Sequence, residues 1–174
     1  MKNKYIFIVN GYPGSGKDTF IDIIKKKLNS EGHFVHKSSY VTAIKEVAEK
    51  IGWNGKKDER GRKLLADICK ASTDYNNFLL DNLYFTLRYT GEHNNLSFLF
   101  WIVRDTNVIN KIKKDYPETK TIIIKRENLK NFDNCADKNI NEIEYDIVIE
   151  NNGTMKDLDD SCELFIKNVL CIEI

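Results

Sequence analysis

A three-layer α/β fold, with a mainly parallel sheet of about five strands covered by helices on both faces, is what this sequence predicts. Three observations carry the prediction. Strand-like and helix-like periods alternate along the chain in the order β-α-β-α-α-α-β-α-β-loop-β-α, which implies parallel pairing through right-handed crossovers. The runs Lys4–Asn10 and Leu96–Val103 are apolar at most positions, as strands buried on both faces are, and Thr119–Lys125 carries Ile122, Ile123 and Ile124 in succession. A glycine-rich turn from Gly11 to Gly16 joins the first of these strands to an amphipathic helix.

Taken in order, Lys4–Asn10 is the first strand, and the helix after the turn carries Phe20, Ile24 and Leu28 at four-residue intervals, widened by Ile21 and Ile23. Lys25, Lys26 and Lys27 suit the negative end of its dipole. Gly32 lets the chain turn into a weakly alternating strand, His33–Ser38. Val41, Ile44, Val47, Ala48 and Ile51 then repeat at helical spacing up to Gly52, a natural stop. A polar turn from Asn54 to Glu59 leads into a helix with Leu64, Leu65, Ile68 and Cys69 on one face, and a third helix runs through Phe78, Leu79, Leu83 and Phe85 towards Gly91. Leu96–Val103 is a buried strand. Asp105 or Thr106 caps the next helix, which ends before Pro117. Thr119–Lys125 is a strand, residues 127–143 read as a polar loop or flap, and Tyr145–Glu150 is the last strand. Thr154 with Asp157 three residues on resembles a capping box and opens a final helix with Leu158, Cys162, Phe165 and Val169 inward.

Composition narrows the function classes. The 174 residues suit one domain, here 1–174, with helices over about 41–93 and the flap set into it. A net charge of +1 gives no field for a nucleic-acid polymer or a membrane surface. No apolar run approaches the ~20 residues of a membrane span. The N-terminus lacks the apolar region and cleavage site of a signal peptide. Cys69, Cys135, Cys162 and Cys171 form no C-x-x-C pair, so neither a zinc site nor a disulfide framework is expected and a cytoplasmic protein is the simple reading. His33, His36 and His93 show no metal-ligand spacing and read as surface residues.

The chemistry begins at Gly11-Tyr12-Pro13-Gly14-Ser15-Gly16-Lys17-Asp18-Thr19. Gly11, Gly16 and Lys17 satisfy Gly-x-x-x-x-Gly-Lys between a strand and a helix, the P-loop of nucleoside-triphosphate-binding folds. Its glycines let backbone N–H groups converge on phosphate oxygens at the positive end of the helix dipole, and Lys17 reaches the β/γ-phosphates. Where the motif has a Mg²⁺-binding Ser or Thr, this chain has Asp18, with Thr19 next. Asp18 either holds the ion, directly or through water, or is an acidic residue suited to a first helical turn, with Thr19 facing the nucleotide.

In such sheets ligands bind beyond the carboxyl ends of the strands. That places the P-loop, Ser38–Ser39, Arg104, Arg126 and Asn151–Gly153 around one crevice. Phosphoryl transfer needs cations on the donor and on an anionic acceptor, and guanidinium grips phosphate bidentately. Arg104 and Arg62 are the expected acceptor-phosphate ligands, with Arg60 a further candidate and Arg126 crossing the transferring group. For Arg60 and Arg62 the competing reading is a solvated helix start. Tyr40 and Trp53 are the candidates for stacking on an acceptor base; packing between helices and sheet is the competing reading for the aromatics.

The variant Gly16-Lys17-Asp18-Thr19 resembles the P-loop of deoxynucleoside monophosphate kinases of phages and their bacterial relatives, a variant shared by phosphomevalonate kinase-like proteins. Trp53–Leu65 resembles the basic segment opening their acceptor-binding helices, Val103-Arg104 before Asn107 resembles their Val-Arg-x-x-Asn stretch, and Ile149–Thr154 resembles the loop near the adenine. The resemblance implies ATP and Mg²⁺ as cofactors, with Asn151 and Gly153 at the nucleotide. It implies γ-phosphate transfer to a small phosphorylated acceptor, a (deoxy)nucleoside monophosphate, by a monomer or homodimer. The chain departs from the pattern in having Ile102 before Val103, Val108 after Asn107, and Cys135 where an acidic flap stretch carries His. Asp105 is the nearest replacement for a second metal-associated carboxylate, beside Asp18 and Thr19. The alternatives are a kinase for a different acceptor, phosphomevalonate- or dephospho-coenzyme-A-like, and a nucleotide-binding protein without transfer activity.

Overall fold

A computed structural model describes residues 3–92, 96–127, 129, 140, 141 and 143–172, with side chains for all of these but 3, 89–92, 96 and 97. Cys135, the acidic stretch 133–137 and most of the expected flap, together with His93, lie outside the described residues. Among the described residues five strands form one sheet: β1 (Asn3–Asn10), β2 (Phe34–Ser39), β3 (Leu96–Ile102), β4 (Lys120–Lys125) and β5 (Ile147–Glu150). Their order is β2-β3-β1-β4-β5, and every pairing is parallel. The helices are α1 (Lys17–Ser30), α2 (Thr42–Lys50), α3 (Glu59–Tyr75), α4 (Phe78–Glu92), α5 (Thr106–Asp115) and α6 (Met155–Phe165), the last continuing through a π-helical turn, Ile166–Leu170.

The expected α/β architecture is therefore present, and the strand pleat explains its layers. Alternate residues of a strand face opposite sides. Phe7 and Val9 of β1, with Phe98 and Phe100 of β3, meet Phe20, Ile21, Ile24 and Leu28 of α1 and Leu158, Cys162 and Phe165 of α6. Ile6, Ile8, Leu99 and Trp101 point the other way, against Leu80, Leu83 and Leu87 of α4 and Ile109 and Ile112 of α5. Phe7 stacks on Phe100 at 5.0 Å, and Phe165 meets Phe7 edge-on at 5.4 Å. Each fully buried side chain of this kind contributes about 1.5–3 kcal/mol relative to exposure. A smaller cluster of Ala43, Ile44 and Leu79, with Leu65, Ile68 and Cys69 against it, ties α2, α3 and α4 together. Among the described residues no helix is long and apolar enough to cross a membrane.

Two sequence readings need correction. His36 is not a surface residue: it is half-buried, and its Nε2 is enclosed without a hydrogen-bond partner among the described residues. Burial, with the charge of Lys25 added, lowers its pKa and favours the neutral imidazole. The last strand begins at Ile147, two residues later than expected. The reason is Asp146, whose Oδ2 accepts from the Thr121 N–H and the Thr121 hydroxyl, each at 2.7 Å, and from Lys113 Nζ at 3.2 Å. A carboxylate thus takes a backbone donor at the start of β4, and strand pairing starts one step on, at Ile122↔Ile147.

That junction has a pH signature. Burial raises the Asp146 pKa, but the Thr121 hydrogen bonds and the Lys113 charge outweigh it and hold the carboxyl below its ordinary value. A depressed carboxyl pKa contributes stability above the unfolded value of about 3.9 and loses it as pH falls through the folded value. Asp146→Ala is expected to cost about 1–2 kcal/mol at neutral pH, given the part-exposed site. Thermal melts should show the gap between wild type and variant closing below about pH 4; a gap that persists in acid would remove the charge from the explanation.

Candidate active site

The P-loop leaves the sheet at its centre, where β1 lies between β3 and β4. Asn10, fully buried at the end of β1, uses its Oδ1 to accept from the Gly11 N–H at 2.7 Å. Gly11 has φ +146°, and a Cβ there would lie 2.5 Å from the Ile124 carbonyl oxygen and 2.7 Å from Ser15 Oγ. Ser15 N–H closes the loop onto the Tyr12 carbonyl at 3.1 Å. Pro13 is half-buried and Gly14 exposed, with the Leu129 side chain alongside Gly14. Gly16 is the N-cap of α1 at φ +96°, pressed against the Asn151 amide. The loop therefore demands glycine both where β4 crowds it and where it turns into the helix.

Lys17 is only 5% exposed. Its Nζ donates to the Gly11 carbonyl at 2.6 Å, the Tyr12 carbonyl at 2.7 Å and Ser15 Oγ at 3.4 Å. A buried ammonium is tolerated only when its donors are satisfied, and here the loop's own carbonyls do this. Asn151 holds the other end: its Nδ2 donates to the Ser15 carbonyl at 2.8 Å and its N–H to the Lys125 carbonyl at 2.8 Å. Gly153 lies instead beside the Asp157 carboxylate, where Thr154 and Asp157 form the expected capping box of α6.

Asp18 is exposed in the first turn of α1, with Oδ1 3.0 Å from Lys37 Nζ, which also reaches Asp22 at 2.9 Å. Burial raises the Asp18 pKa, but the Lys37 hydrogen bond and the charges of Lys37, Lys17 and Lys45 outweigh it and keep it ionised. Thr19 is half-buried next to it. Arg104 follows β3 and is half-buried. Lys45, near the start of α2, feels the charges of Lys57, Asp18 and Arg104. Burial, followed by the Lys57 charge, lowers its pKa. The backbone places α2 here, because the Tyr40 N–H donates to the Ile102 carbonyl at 3.0 Å. Lys37, Lys45, Arg104 and Asp18 thus surround the carboxyl ends of β2 and β3.

The other expected residues divide. Trp53 and Arg60 line one cavity of about 400 Å³ with Ile51, Asn54, Asp58 and Leu64, at the turn from α2 to α3. The Trp53 indole N–H is held by the Lys56 carbonyl at 2.9 Å. Arg62 does not line that cavity; its Nε donates to the Lys57 carbonyl at 2.8 Å. Tyr40 packs between the α4–α5 cluster and the α2–α3 cluster, and burial pushes its hydroxyl up to about 12. That is the packing alternative for this aromatic. Asp105 is the N-cap of α5, its Oδ1 accepting from Asn107 N–H at 2.9 Å and Val108 N–H at 3.4 Å. Arg126 is exposed one residue past β4.

Sequence reasoning missed Asn10, Lys37, Lys45, Asn141 and Tyr145. A lysine inside a strand beside a P-loop was a usable signal for Lys37. Nothing local marks Asn10 and Tyr145, which meet across 135 residues, the Asn10 Nδ2 donating to the Tyr145 hydroxyl at 2.8 Å.

Fold and loop together define an α/β domain of the P-loop nucleoside-triphosphate-binding type. No family model matches the chain, and no curated protein sequence does. Among solved structures, a mutant of the APS kinase CysC of Mycobacterium tuberculosis is similar over 97% of this chain and 99% of its own, at 9% identity and a TM-score of 0.51. An unliganded sugar kinase from Janibacter is similar over 94% of this chain and 95% of its own, at 10% identity and a TM-score of 0.50. At such identities the likeness is one of fold.

Proposed function

We propose that the protein is an ATP- and Mg²⁺-dependent phosphotransferase acting on a small phosphorylated acceptor, a (deoxy)nucleoside monophosphate. The observation that carries this reading is the pairing of two cationic features at the carboxyl ends of the strands. One is the Lys17 ammonium seated on the P-loop carbonyls; the other is the Lys45–Arg104 group across Asp18. Kinase neighbours of the same fold support the reaction class.

The donor set fits the cofactors in a specific way. Backbone N–H groups of a glycine-rich loop at a helix N-terminus suit triphosphate oxygens. Mg²⁺ keeps several waters and takes phosphate oxygens as ligands, so it asks few ligands of the protein. Asp18 and Thr19 are the side chains at hand; Asp105 already has one oxygen engaged as a helix cap. When bound, Mg²⁺ supplies charge neutralisation between the phosphates.

On the acceptor side, Arg104 with Lys45 takes the phosphate, and the open pocket at Trp53 and Arg60 offers an indole face and a guanidinium to a planar base. The helices over 41–92 then form the acceptor side, and Arg126, one residue past β4, crosses the transferring group. Arg104→Met is expected to raise the acceptor KM or cut kcat about 10- to 100-fold while ATP binding changes little. Equal losses for both substrates would count against the assignment. Asp18→Ala is expected to abolish Mg²⁺-dependent turnover in a folded protein, and full activity in that variant would make Asp18 a mere first-turn residue.

The deciding experiment is a coupled ADP-release assay over a panel of nucleoside and deoxynucleoside monophosphates with ATP and Mg²⁺. Turnover only with a phosphomevalonate- or dephospho-coenzyme-A-like acceptor would keep the kinase and change its substrate. A second reading, nucleotide binding without transfer, is favoured by the engagement of Asp105 as a cap; ATP binding with no ADP formed from any acceptor would establish it.

A further inference from the structure

The two carbonyls that hold the Lys17 ammonium belong to Gly11 and Tyr12. Those same residues are gripped by a segment far away in sequence. The Gly11 N–H is fixed by Asn10 Oδ1 at 2.7 Å, and the Asn10 amide is oriented because its Nδ2 donates to the Tyr145 hydroxyl at 2.8 Å. That hydroxyl in turn donates to the Ile140 carbonyl at 3.0 Å, and the Asn141 Nδ2 donates to the Tyr12 hydroxyl at 3.3 Å. Asn10 and Ile140 are both fully buried. The Gly11 N–H, a donor only, selects the Asn10 oxygen; without the Tyr145 hydroxyl the buried Nδ2 at the other end of that amide would lose its acceptor, and the amide its anchor.

We infer that Tyr145 is a positioning residue for Lys17: through Asn10 it sets the Gly11–Tyr12 peptides, and the chain at residues 140 and 141 shares in that setting. The order of the P-loop lysine thus depends on the seating of Ile140, Asn141 and Tyr145. Tyr145 suits this role at every physiological pH, since burial pushes its hydroxyl up to about 12 and it remains both donor and acceptor. The inference deepens the proposed function and rests on it for the catalytic meaning of Lys17, but its structural content does not need a nucleotide.

The first test therefore uses the nucleotide-free protein. Acylation of individual lysines by an amine-reactive ester, followed by peptide mass spectrometry, is compared in wild type, Tyr145→Phe and Asn141→Ala. Lys27, held by Asp159 at 3.1 Å and Glu163 at 2.8 Å on another face, serves as the internal reference. Tyr145→Phe is expected to raise the Lys17-to-Lys27 rate ratio by about tenfold, the worth of one buried hydrogen bond. Asn141→Ala, a change at an exposed residue that leaves the core intact, raises it less. A ratio unchanged in both variants overturns the inference, whatever the protein's activity. The second test is a double-mutant cycle on ATP affinity. Tyr145→Phe is expected to weaken ATP binding in the wild-type background and to have no further effect in Lys17→Met. Equal weakening in both backgrounds would mean that Tyr145 acts on the loop by another route, and would overturn the assignment to Lys17. Failure of ATP to bind wild type at all would sink the proposed function, with the labelling result still standing.

Discussion

Lys17→Met is expected to lower phosphotransfer by about 100- to 1,000-fold, the usual loss when one preorganised cation or donor at a developing charge is removed. The substitution keeps the length of the side chain and deletes its charge. It leaves the Gly11 and Tyr12 carbonyls, now 2.6 and 2.7 Å from the ammonium, without a donor inside a nearly closed site. The loss should therefore exceed that from deleting an exposed lysine, where water replaces the ammonium. Steady-state ADP release reads the effect on turnover, and circular dichroism confirms that the fold survives. A variant that retains near-wild-type kcat/KM for ATP would show that the loop does not deliver Lys17 to the phosphates.

Gly11→Ala is expected to be nearly as severe and to act through shape alone. The added Cβ would sit 2.5 Å from a backbone carbonyl, that of Ile124, in a φ of +146°. Neither β4 nor the buried Ser15 hydroxyl at 2.7 Å can yield cheaply, and a non-glycine residue in that conformation costs of order 1–3 kcal/mol before any clash. The loop should relieve the strain by moving away from β4, which displaces both carbonyls under Lys17. The expected result is a lowered melting temperature together with loss of ATP affinity. A lowered melting temperature with ATP affinity intact would mean that the strain is absorbed elsewhere, in β4.

The parts of this fold that sequence revealed are those written within one turn or one strand. The continuous apolar run before Gly11, the four-residue spacing of Phe20, Ile24 and Leu28, and the Thr154–Asp157 pair are local patterns, and each became the expected element. The order of the strands was not legible, because it depends on pairings such as Phe7↔Phe100 and Phe7↔Lys120. No period within β1 names its neighbours. The site divides in the same way. The Gly11–Lys17 loop follows from spacing alone, whereas its supports come from Tyr145 and Asn151, 135 and 136 residues from their partners. Tyr40 and Trp53 look alike as aromatics in sequence and both are half-buried; what differs is their surroundings, Tyr40 packing against two clusters and Trp53 lining an open pocket. The charge that makes Arg62 a candidate phosphate ligand is visible in sequence; the bond from its Nε to the Lys57 carbonyl is not.

Both supports of the P-loop flank β5, one of the sheet's two edge strands and its last in sequence among the described residues. This has a consequence for how the chain matures as it is synthesised. Strands β1 to β4 and the glycine loop emerge first, and during that interval the loop has neither Tyr145 at its entrance nor Asn151 at its exit. Until the chain beyond Asn151 has left the ribosome, the loop lacks both of these hydrogen bonds. A ligand that binds the finished loop then favours docking of β5 by mass action, so nucleotide would act late, as a latch on the carboxyl-terminal quarter of the chain. Contacts this remote in sequence also close slowly. The nascent protein should therefore acquire its central strands well before it acquires any affinity for phosphate.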